Sequence, residues 1–136
     1  MEKSRCSRRE APPGWDRDVP YDIRERAFRF AIRVIRASRR LPHDTTARVV
    51  VQQLVKSATS VGANIEEADG AESSRDFVHK TSIARKEARE SRYWLCIIRA
   101  TFLDDDELVS LEQESDELTR ILSAMIIKSK ARSQSR

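Results

Sequence analysis

Apolar residues recur along this chain at three- and four-residue steps, the repeat of an α-helix that buries one face. Ala47, Val50, Leu54, Ser57, Val61, Asn64 and Ala68 are spaced 3-4-3-4-3-4. Phe77, Thr81, Ala84, Ala88, Ser91, Leu95 and Ile98 keep the same rhythm, as do Leu108, Leu111, Ser115, Leu118, Leu122 and Met125. Upstream, Ile23, Ala27, Phe30, Ala31 and Val34 form one stripe. Phe28, Ile32 and Ile35 form a second beside it. Together the two cover roughly 200° of a wheel at 100° per residue, wider than the ~100° face a surface helix needs. The surplus ridge is the expected contact with another copy of the chain.

The boundaries are written in cap chemistry. Asp22 with Glu25 opens helix A, and Leu41-Pro42 closes it. Helix B runs from about Thr45 to Ala68 and ends at Asp69-Gly70. Helix C starts at Ser73, with Asp76 in the capping-box position, and continues to about Thr101. Helix D follows the acids Asp104 to Glu107, well placed on a helix N-terminus. Four amphipathic helices with three short connections predict an all-α, up-down-up-down antiparallel four-helix bundle. It spans residues 21–128, between a proline-bearing, disordered tail at 1–20 and a basic frayed tail at 129–136.

One stretch resists the pattern. Residues 57–64 put Ser57, Ala58, Ser60, Gly62 and Ala63 beside Asn64, where a bundle wants bulk. The small residues predict close backbone approach to Ala84, Ala88 and Ser91 of helix C. Asn64 in the seam predicts a register-setting hydrogen bond across to helix C, near Lys80 and Thr81, or to a loop backbone. Gly62, Asn64, Glu67 and Thr81 are thus expected to be structural positions.

This stretch also carries a resemblance. Ser60, Gly62, Asn64, Ile65 and Glu67, then Ser73, Phe77, Ile83, Ala84 and Glu87, then Tyr93, Trp94 and Leu95 resemble a bacterial four-helix-bundle family. Its members are often encoded in intervening sequences of 23S ribosomal RNA genes. The likeness covers roughly residues 21–127. It implies a homopentameric ring of bundles and no known enzymatic activity. A relative with a similar fold, the accessory variability determinant of diversity-generating retroelements, has a basic surface and partners a reverse transcriptase and nucleic acid.

Charge changes the picture next. Residues 1–41 hold 12 basic and 6 acidic side chains, 103–127 hold 1 and 8, and 128–136 hold 4 and none. Such asymmetry points to a polyanion or to self-association of unlike surfaces. Arg26, Arg29, Arg33, Arg36 and Arg40 share an arc of about 80° on helix A. The end of A lies beside the start of D, so Arg36, Arg39 and Arg40 can be neutralised by Asp104 to Glu107. At the opposite end, Arg24, Arg26 and Arg29 are expected to join Arg120, Lys128, Lys130 and Arg132 in an uncompensated basic pole, with Lys3, Arg5, Arg8 and Arg9 of the tail nearby. Phosphate contacts are accordingly expected from Arg24, Arg26, Arg29, Arg33, Arg36, Lys128, Lys130 and Arg132. Tyr93 and Trp94 are read as packing residues, so base-stacking platforms are not expected.

Catalytic chemistry finds no support. A di-metal bundle needs Glu-x-x-His on two helices. His43 has Arg40 three residues back and His79 has Asp76, which makes one imperfect copy. No nucleophile with base and orienting group and no glycine-rich phosphate loop is present. No metal, cofactor or enzymatic activity is expected. Cys6 and Cys96 read as reduced thiols. With no signal region or membrane-length apolar run, the expected compartment is the cytoplasm. Two readings remain open: a homo-oligomeric bundle binding nucleic acid, RNA rather than a defined DNA site, without sequence specificity; or a scaffold or accessory subunit of a reverse transcriptase or other protein, with no nucleic-acid contact.

Overall fold

The computed structural model describes residues 21–135, and the expectations for the N-terminal tail, Cys6 included, lie outside them. Four helices follow in order: α1 Tyr21–Ser38, α2 Thr45–Asp69, α3 Ser74–Thr101 and α4 Asp106–Gln134. Each packs on its neighbour in sequence, and α1 closes the ring against α4, giving a four-helix bundle. Among the described residues there is no strand, and no helix is long and apolar enough to cross a membrane.

The caps form as their chemistry dictates. The Asp44 carboxylate accepts from the Ala47 N–H at 2.8 Å, Ser73 Oγ from Asp76 N–H at 3.0 Å, and Asp105 from Leu108 N–H at 2.9 Å. Each satisfies a donor that the first helical turn leaves without a backbone partner. The Gly70 N–H closes α2 onto the Glu67 carbonyl at 3.1 Å. α1 stops three residues before Leu41, because the chain tightens there into bonds of i→i+3 type from Arg39, Arg40 and Leu41. Leu41 still turns inward and is buried. At the other end α4 does not fray at residue 129. Ser129 is 2% exposed, and the packed helix runs on to Gln134.

The seams of α3 and α4 are buried at every position the periodicity named. In α2 the named seam is buried except at Val50 and Asn64, which are half covered, and Ile65 beside Asn64 is fully buried. The Asn64 amide does not cross to α3. Its Nδ2 donates to the Ser60 carbonyl one turn back, at 2.9 Å. A larger apolar neighbour takes the core, and the amide falls back on its own helix. The crossing near Lys80 is made instead by Glu67, whose carboxylate meets Lys80 Nζ at 2.8 Å. Thr81 is buried and donates to the Phe77 carbonyl within α3.

Small residues do meet across α2 and α3, but at mid-bundle. Ser91 Oγ lies 3.0 Å from Ser57 Oγ, both buried. Gly62 faces the other way, toward α1: a Cβ there would lie 3.6 Å from that of Ala27. Phe28, Ile32 and Ile35 are half-buried along α1.

Candidate functional site

The arginines of α1 were expected to present an open basic surface, and most do not. Arg26 Nε and Nη2 hold both carboxylate oxygens of Glu114 on α4, at 3.0 and 2.8 Å. Arg33 grips Glu107 in the same two-pronged way, at 3.0 and 3.2 Å, and reaches Ser110 Oγ at 2.8 Å. Arg40 pairs with Asp105, the N-cap of α4. Arg24, 8% exposed, holds Glu66 of α2 through two bonds and lies 3.5 Å from Asp69. Arg29 pairs with Glu25 on its own helix.

The cause is register. Carboxylates at 105, 107 and 114 recur on the α4 edge that meets the α1 stripe, and planar guanidinium groups match them in fork geometry. The Glu114 bond raises the Arg26 pKa despite partial burial. The Arg40 guanidinium, helped by the Leu108 N–H, holds the Asp105 carboxyl below its ordinary value. Of the expected contacts, Arg24, Arg26, Arg29 and Arg33 are therefore neutralised within the bundle, and they do not form a basic pole with α4. Among the described residues Arg36, Lys128 and Lys130 stay exposed without an ion pair, and Arg132 is half covered.

The basic surface lies one seam away, between α3 and α4. Arg75, Arg85, Arg89, Arg92 and Arg99 follow one another down the α3 edge that meets α4. At the upper end they are matched: Arg99 bonds Asp104 at 2.8 Å and Glu112 at 2.7 Å, and Arg92 bonds Asp116 at 3.0 Å. Cys96 Sγ donates to Glu112 at 3.4 Å, and burial together with that carboxylate pushes its thiol pKa up. Below Glu117 the acids run out, since residues 118–136 contain none. There Arg85 finds only the Ser123 hydroxyl, at 3.3 Å. Arg75, Arg89, Arg120 and Lys130 have no ion pair among the described residues. Arg89, Arg92, Asp116, Thr119 and Arg120 line an open depression of about 370 Å³.

Glu87 turns toward the α2 side near Lys56, where burial and Glu90 raise its pKa. Glu90 accepts from Trp94 Nε1 at 3.1 Å. The signal that was available is the spacing of Arg85, Arg89 and Arg92 together with the acid-free end of α4. Tyr93 was also read as packing, yet it is 58% exposed, edge-on to Trp94 with ring centres 5.1 Å apart. Among the described residues no group of three or more His, Cys, Asp or Glu side chains could hold a metal ion.

A model of the family described as 23S rRNA-intervening sequence protein matches residues 20–124. A crystal structure of a protein of unknown function from the S23 ribosomal protein family of Bacteroides thetaiotaomicron superposes with a TM-score of 0.70. It is 33% identical over 76% of this chain and 94% of its own. No protein of curated function matches the chain.

Proposed function

The chain belongs to the 23S rRNA-intervening sequence protein family, and from that premise we propose a non-enzymatic, self-associating bundle that binds nucleic acid, RNA above all, without sequence readout. The carrying observation is the lower α3–α4 face. Five cations there, Arg75, Arg85, Arg89, Arg120 and Lys130, have no ion pair among the described residues, and the α4 half beside them has no acid. Uncompensated guanidinium groups suit phosphate oxygens, and a row of them follows a backbone rather than base edges.

Binding of structured RNA across a salt series tests the reading. Contact with several phosphates gives a steep fall of log affinity with log salt, by roughly 0.7–0.9 per phosphate neutralised. Changing Arg85 and Arg120 to Gln flattens that slope, whereas Arg26→Gln leaves it in place because Glu114 already occupies that guanidinium. Equal effects from both sets, or no salt dependence, refute the assignment.

A second reading, a protein scaffold or an accessory subunit of a reverse transcriptase, rests on the apolar ridge of Phe28, Ile32 and Ile35. Its half-exposure suits an oligomer contact, for which the pentamer is the family-based expectation. Light scattering tests that contact, since a mass near 15.7 kDa rules out self-association, and absence of RNA binding by an assembled protein favours this second reading.

A further inference from the structure

We propose that the basic face takes single-stranded rather than duplex RNA, with one base stacked on Tyr93 and the adjoining phosphate held between Arg89 and Arg120. This rests on the reading above and names its ligand class. At about 100° per residue, Arg92, Arg85, Arg89 and Tyr93 fall within an arc of about 100° on α3, with Tyr93 at the solvent edge. Arg89 and Tyr93 are four residues apart and so are neighbours on the helix surface. Tyr93 is 58% exposed and meets Trp94 in a T-shaped contact with ring centres 5.1 Å apart.

The depression beside it is walled by Arg89 and Arg120, neither of which has an ion pair among the described residues. Its floor is already neutral, because Arg92 holds Asp116 at 3.0 Å. The nearby Glu90 is engaged by Trp94 Nε1. A flat aromatic face next to two open guanidinium groups is the combination that binds a splayed nucleotide: the ring takes a base and the cations take its phosphate. A duplex keeps its bases paired inside and offers Tyr93 nothing to stack on.

The test is fluorescence anisotropy at fixed salt with labelled oligoadenylate and with the corresponding A·U duplex. Wild type is expected to prefer the single strand. Tyr93→Ala is expected to lower single-strand affinity about five- to a hundred-fold, the range of one lost stacking contact, and to leave duplex affinity unchanged. Tyr93→Phe retains affinity, since the ring and not the hydroxyl does the stacking. Arg85→Gln weakens both ligands alike. Circular dichroism confirms that the variants are folded. Equal affinity of wild type for the two ligands, or no effect of Tyr93→Ala, overturns this inference and leaves polyanion binding standing. Absence of binding to either ligand removes both. A Tyr93→Ala variant that loses assembled mass instead of single-strand affinity reassigns the ring to a subunit contact and overturns the proposal.

Discussion

Replacing Gly62 by alanine should make the protein more stable. Glycine in a helix interior costs about 1 kcal/mol relative to alanine, because it gives up more backbone freedom on folding. The usual reason to keep it is a neighbour too close for a Cβ. Here the nearest atoms to that Cβ would be Ala27 Cβ at 3.6 Å and the Ala27 carbonyl carbon and oxygen at 3.8 Å, all ordinary van der Waals contacts. Gly62 is half-buried, so the added methyl also covers some apolar surface, adding a few tenths of a kcal/mol at about 25 cal/mol per Å². The total is about 1 kcal/mol, or about a 4 °C rise in Tm for a domain of this size. Thermal unfolding at one fixed protein concentration measures it, since assembly makes Tm concentration-dependent. Gly62→Leu sets the opposite bound: its longer side chain must be driven into Ala27 and should cost about 1–3 kcal/mol. A lower Tm for the alanine variant would refute the reasoning and show that α1 and α2 need a bare backbone at this crossing.

Other variants probe the polar contacts. Arg24→Ala removes a buried guanidinium with two bonds to Glu66 and should destabilise by about 2–3 kcal/mol in urea unfolding, whereas Arg29→Ala, on an exposed pair, should change stability by under about 1 kcal/mol. Ser91→Ala should cost about 1 kcal/mol, and Ser57→Ala in that background much less than in wild type, because the two hydroxyls share one contact in a double-mutant cycle. The lowered Asp105 pKa gives a sign for acid: its contribution is fully present above the unfolded value near 3.9 and is lost as pH falls through the folded one. Asp105→Asn should therefore flatten the stability–pH curve below about pH 4 and leave its neutral limb without that slope. Cys96, with its thiol pKa raised, should react with iodoacetamide more slowly at pH 8 than a free thiol, and Glu112→Gln should speed it.

The bundle was legible because helices of this length repeat their burial pattern many times over. Seven seam positions on α3 fix its inward face regardless of any one residue. At Asn64 that redundancy failed. Asn64 and Ile65 flank the buried arc of Ser57, Val61 and Ala68 at opposite edges, and the larger apolar side chain of Ile65 took the core. The charged surface was harder to read, because an ion pair depends on which edge of which neighbour a side chain meets. Topology correctly put the end of α1 against the acids that open α4, and Arg40 with Asp105 and Arg33 with Glu107 follow from it. Glu114, two turns farther on, and Glu66, on the other neighbour of α1, needed the azimuth of each helix, which spacing alone does not give. Tyr93 shows the same limit: aromatic type suggests burial, but exposure is set by its position opposite the α3 seam.

The α1–α4 boundary has one more implication. Its polar contacts tie residues 65 to 88 positions apart in sequence, and three of them are ion pairs at a partly solvated edge. Pairs of that kind weaken in salt, whereas apolar packing among the other three helices is not screened. The first helix is therefore the cooperative unit expected to detach before global unfolding. Its backbone amides should trade protons for deuterons sooner as sodium chloride is raised, while those of α3 hold their protection.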